Sequence, residues 1–146
     1  MRPYVVRLDA TAVTGAITLV EVSAPSTGSI VLLRAWCSQS SSTTATQLPI
    51  QIVRKSAVAT GTPFTPLALN ETDPAASSTA LVNATVEGTD TNILVKEVWE
   101  YLNGWLWVPT PDERITVKAS GIIALKFPVA PGASTTIQAG FIFGEV

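Results

Sequence analysis

Histidine is missing from the 146-residue chain. Its absence removes the commonest general base, the Ser-His and Cys-His nucleophile pairs, and the imidazole ligands of most zinc and iron sites. A metal-binding cupin is excluded on that ground. Cysteine occurs once, as Cys37 after Trp36. No disulfide can form within the chain, no thiol pair can hold a metal, and the redox compartment is unconstrained. A lone thiol without a sequence-evident activator is a poor nucleophile, and Cys37 reads as a buried small hydrophobe.

Charge is scarce as well. Asp, Glu, Lys and Arg supply 14% of the residues, the net charge is −2, and an average soluble domain carries about 25% charged residues. The few basic residues are scattered singly, which leaves no footprint for nucleic acid or an anionic membrane surface. Long hydrophobic runs are lacking too: Ile30 to Leu33 and Gly121 to Leu125 are stopped by Arg34 and Lys126, far short of the ~20 residues of a membrane helix. The opening Met1-Arg2-Pro3-Tyr4-Val5-Val6 enters a strand pattern with no cleavage-site signature, so a soluble chain without a secretion signal is expected.

No glycine-rich phosphate loop and no acidic calcium loop is present. The closest carboxylate candidates for acid and base are Asp112-Glu113 and Glu97 with Glu100. Residues one or three apart in a strand point to opposite faces, so neither pair suits one scissile bond. Asp112-Glu113-Arg114 after Pro109-Thr110-Pro111 reads as a turn. Asn70-Glu71-Thr72 and Asn83-Ala84-Thr85 match the N-glycosylation pattern and read as coincidence in a Thr-rich chain. No cofactor, no metal and no enzyme activity are expected.

What the sequence has is β-structure. Short segments with period-two alternation or β-branched enrichment recur between Gly, Pro, Asn and Ser clusters. Strands are expected near Tyr4 to Ala10, Ala16 to Ser23, Ser29 to Ser38, Leu48 to Lys55, Ala80 to Glu87, Asn92 to Leu102, Trp105 to Val108, Ile115 to Lys118, Ile122 to Phe127 and Thr135 to Phe143. Leu48, Ile50 and Ile52 alternate with Pro49, Gln51 and Val53, which marks the inward face. The last strand is apolar on nearly both faces and should lie centrally in a sheet or under a neighbouring subunit. In Ala16 to Ser23 the apolar set changes phase, which predicts a β-bulge or a switch between sheets. The expected fold is a single-domain, all-β sandwich, with the jelly roll as the commonest such arrangement.

Residues 57–79 depart from this pattern. Gly61, Pro63, Pro66 and Pro74 argue against a regular strand and for a long ordered loop or arm. Phe64, Leu67 and Leu69 would dock it on its own sandwich or on a neighbouring chain.

The aromatic segment Trp99 to Val108 holds three Trp and one Tyr within nine residues. Asn103-Gly104 is a strong type I′ turn signal and predicts a tight hairpin. One face would carry Trp99, Tyr101, Leu106 and Val108, the other Leu102, Trp105 and Trp107 with Glu100 at its edge. A sandwich has one interior, so the second face needs cover from the long loop, a second subunit or a ligand. Core packing, a protein interface and a sugar-stacking platform all fit these residues.

The chain resembles jelly-roll decoration, or cement, proteins of tailed-bacteriophage capsids. The likeness rests on the opening strand, Ile30-Val31-Leu32-Leu33-Arg34-Ala35-Trp36, Gln47-Leu48-Pro49-Ile50-Gln51-Ile52-Val53-Arg54, Thr65-Pro66-Leu67-Ala68-Leu69-Asn70, and Gly104-Trp105 through Pro111-Asp112-Glu113-Arg114. The resemblance implies a homotrimer on the virion surface, made in the host cytoplasm, that bridges major capsid protein subunits. An alternative is a carbohydrate- or receptor-binding module of a head fibre or tail, with Trp105 and Trp107 as the platform.

Overall fold

The computed structural model describes residues 1–146. Twelve strands form: β1 Arg2–Val13, β2 Thr18–Ser23, β3 Ile30–Gln39, β4 Gln47–Ala57, β5 Thr60–Phe64, β6 Leu67–Ala68, β7 Thr79–Val86, β8 Thr89–Glu100, β9 Trp105–Trp107, β10 Ile115–Val117, β11 Ile122–Lys126 and β12 Thr135–Glu145. They build two sheets that pack as a sandwich. The first runs β10-β3-β12-β1-β6, with β9 beside β10 along the same edge of β3, and the second runs β5-β7-β2-β11-β4-β8.

Without β5, β6 and β7, the remaining order is β1-β12-β3-β9/β10 over β2-β11-β4-β8, and the chain changes sheet at each step except from β4 to β8 and from β9 to β10. That is the double Greek key of a jelly roll. Ten of the twelve strands match the expected ones to within a few residues. β12 lies in the middle of its sheet between β1 and β3, the first of the two placements its apolar faces allowed. The phase change in β2 is a bulge: Leu125 faces Val20 while Lys126 faces Thr18, leaving Leu19 as the extra residue.

The interior is filled by Tyr4, Val6, Leu8, Phe141 and Phe143 from one sheet against Leu48, Ile50, Ile52, Ile123 and Leu125 from the other. Pro49 sits inside β4 without breaking it. It faces Val98 of β8 on one side, and on the other β11 ends with Lys126 opposite Gln51, so no ladder bond asks for the missing N–H.

The arm, in contrast, is partly strand. β5 and β6 were not expected there. β5 is an edge strand, where Pro63 is tolerated because its nitrogen need not donate. The registers Ala57↔Thr89 and Thr60↔Val86 follow one another. β4–β5 and β7–β8 are therefore one long antiparallel ribbon that bends at Val58-Ala59 and Glu87-Gly88. Its two halves clasp β2 and β11 between β7 and β4.

A buried ion network pins this bend. Val20 and Val22 point into the sandwich, so Glu21 points out of it, yet Glu21 and Lys55 are both fully enclosed with Nζ 3.2 Å from the carboxylate. Glu21 also accepts the Ala59 N–H at 3.1 Å. Glu87 lies 3.2 Å from Lys55 Nζ, and Asp90 2.7 Å from Lys126 Nζ. Burial alone would raise the Glu87 pKa, but the Thr18 hydroxyl, the Thr18 backbone N–H and the Lys55 ammonium outweigh it and hold the carboxyl below the ordinary 4.5.

Candidate functional site

The expected hairpin at Trp99 to Val108 does not form. β8 pairs with β4 in one sheet and β9 pairs with β3 in the other, so Tyr101 to Gly104 is a crossing between sheets. Gly104 has a φ of +68°, while Asn103 lacks the positive φ that a type I′ turn requires. The physical reason lies in the aromatics. A two-stranded hairpin would expose one apolar face, whereas crossing the sandwich lets both segments turn their large rings inward.

Trp99, Tyr101 and Trp105 are accordingly buried in the core, and Trp107 is half-buried against it. Trp99 packs on Tyr101 with ring centres 5.3 Å apart and on Phe127 at 6.3 Å. Trp99 Nε1 and the Tyr101 hydroxyl are buried without a hydrogen-bond partner. Trp105 is only 9% exposed and its Nε1–H donates to Glu97, so it offers no open ring face to a sugar. Of the hairpin residues expected at an interface, Leu102 alone stands free.

The arm docks on its own sandwich. Phe64 packs half-buried against the core under the Arg7 guanidinium, 5.9 Å away. Leu67 pairs with Val5, and the Leu69 N–H donates to the Pro3 carbonyl. The Tyr4 hydroxyl donates to the Pro74 carbonyl at 3.0 Å, and Glu145 accepts from the Ser78 N–H and hydroxyl at 2.7 and 2.8 Å. The side chains of Leu67 and Leu69 remain exposed.

Of the other groups singled out in the sequence, Cys37, Glu113 and Glu100 are engaged locally, while Asp112 stands exposed in the turn. Cys37 is buried beside Trp105, and burial pushes its thiol pKa up. Glu113 closes a 3₁₀ turn, Pro111–Glu113, by accepting the Thr110 hydroxyl at 2.8 Å. Glu100 accepts from the Leu102 N–H and Asn103 Nδ2.

Trp36 stands outside the residues expected at an interface. It lies on the outer face of its sheet beside Leu106, with the Arg34 guanidinium 5.4 Å over its ring. A Cβ on Gly140 would come within 2.2 Å of that ring, so only glycine lets the indole lie flat across β12. The period-two reading of β3 contained the signal, because Ala35 and Cys37 point inward and Trp36 must point out. Around Trp36 the surface is apolar: Leu102, Leu106 and Val108 are each more than half exposed. A shallow depression lined by Arg34, Trp36, Ser38, Asn103 and Leu106 lies there, with Leu102 and Val108 outside its lining. Compared with family models, curated proteins and solved structures, the chain matches none.

Proposed function

We propose that this jelly roll is a non-enzymatic structural protein that binds the outside of a phage capsid and strengthens contacts between major capsid subunits. The observation that carries the reading is exposed Leu106 across from the half-buried Trp36, with Leu102 and Val108 also more than half exposed in the same stretch of chain. Apolar side chains left in water on a chain with so little charge suit burial against another protein. An outward-facing Trp ring with a cation stacked on it is the kind of anchor that dominates such contacts. The resemblance in sequence pattern names the shell as the partner.

The test is co-sedimentation of the purified protein with empty, expanded capsids. Binding that saturates at a fixed ratio to capsid subunits supports the reading. Leu106→Asp combined with Val108→Asp should abolish it without loss of fold, since both side chains already face solvent. Absence of binding by the wild type would overturn it.

A further inference from the structure

The sheet edges differ in how they are closed to further pairing. β5 carries Gly61 and Pro63, β9 and β10 have three residues each, and β1 has a bulge between Leu8 and Thr11 with the charged Arg7 and Asp9 exposed beside it. β8 has twelve residues and a neighbour on one side only. Its first half is irregular, with register shifts near Leu94 and Thr91. Its second half, Val95 to Glu100, pairs with β4 in unbroken register, and Val98 there is 60% exposed. Such a strand is a template for another strand.

The direction of its free hydrogen-bonding groups follows from one bond. The Tyr101 N–H donates to the Thr46 carbonyl at 3.1 Å in continuation of the Glu100↔Gln47 register. Antiparallel ladders alternate, so Tyr101, Trp99, Glu97 and Val95 turn their backbone groups to β4. Lys96, Val98 and Glu100 turn theirs to solvent.

We propose that two copies of this chain pair through β8, antiparallel and about a twofold axis at Val98. An isologous contact that continues the sheet keeps like faces together, so the register must centre on a residue of this stretch. Centring on Lys96 sets Lys96 against itself, and centring on Glu97 sets Glu97 against itself. Centring on Val98 sets Val98 against Val98 and, on both sides, Lys96 of one copy against Glu100 of the other. Lys96 has no ion pair within its own chain. Opposite charges directly across an antiparallel pair attract and like charges repel, so charge selects this register. The twofold contact differs from the threefold one implied by the resemblance. It does not depend on capsid binding.

Sedimentation velocity of the purified protein over a dilution series, without any shell, tests it. The wild type should show a reversible monomer–dimer equilibrium. Val98→Pro removes an N–H that β4 does not use, so the fold should survive by circular dichroism and the dimer should be lost. Lys96→Glu should weaken the dimer about tenfold through two like-charge pairs. Combining Lys96→Glu with Glu100→Lys should restore it. A wild type that stays monomeric throughout, a trimer, a dimer indifferent to Val98→Pro, or a charge swap that fails to recover pairing would overturn the proposal.

Discussion

At the scale of single residues, buried side chains differ in what they contribute. Trp99 fills the centre of the aromatic cluster between Tyr101 and Phe127. Trp99→Ala should cost about 3 to 5 kcal/mol in urea unfolding, through lost burial and the cavity left behind. Tyr101 sits beside it with a buried hydroxyl that has the Thr135 side chain nearby but makes no hydrogen bond of good geometry. An unpartnered buried polar group costs about 1 to 3 kcal/mol, so Tyr101→Phe should leave stability unchanged or raise it. A clear loss would show that the hydroxyl has found a partner in solution. Gly140 is constrained by a neighbour instead. Gly140→Ala should lift the Trp36 ring off β12, read as a shift in tryptophan emission, at a cost of about 1 to 3 kcal/mol.

At the scale of elements, the bent ribbon depends on a network of charges and hydrogen bonds. Lys55 and Glu21 face each other with no access to water. Lys55→Met would leave the Glu21 carboxylate buried and unpaired, which costs about 3 to 5 kcal/mol. Thermal unfolding should report it as a marked drop in Tm. Glu87 adds a pH dependence whose sign follows from its depressed pKa. The unfolded chain binds a proton near pH 4.5 that the folded chain still refuses, so the stabilisation is complete above that pH and fades as pH falls through the folded value. Glu87→Gln should therefore lower stability at neutral pH and flatten the acid limb of the profile. An unchanged acid limb would show that Glu87 takes no part in it.

At the scale of the whole molecule, the eight jelly-roll strands and the inserted arm are separable in topology. The arm shields Tyr4 through Pro74 and ties Ser78 to Glu145, but it supplies none of the ladders inside β1-β12-β3 or β2-β11-β4-β8. Replacing residues 65–77 with a short Gly-Ser linker should lower Tm while leaving the far-ultraviolet β spectrum in place. Loss of the β spectrum would mean that the arm is needed for the sandwich to form. The surfaces opposite the arm, the β8 edge and the Trp36 patch, stay free in the single chain and are the places where assembly is expected.

Much of this was written in the order of residues. Alternation in β4 assigned Leu48, Ile50 and Ile52 to the interior, and the doubly apolar β12 had to be covered on both faces, centrally in a sheet or by a second subunit, because period-two patterning states directly which side chains avoid water. The phase change in β2 was visible for the same reason and left a bulge or a sheet switch open, between which the fold chose the bulge. Partner choice was not legible. Asn103-Gly104 is a local turn signal, but burying Trp99, Tyr101 and Trp105 together gains more than closing a hairpin, so the chain crosses to the other sheet. Pro63 argued against a strand until the fold placed it at an edge, where its missing N–H is not needed. The distribution of exposed and buried aromatics is a property of two sheets meeting, and no stretch of sequence contains both.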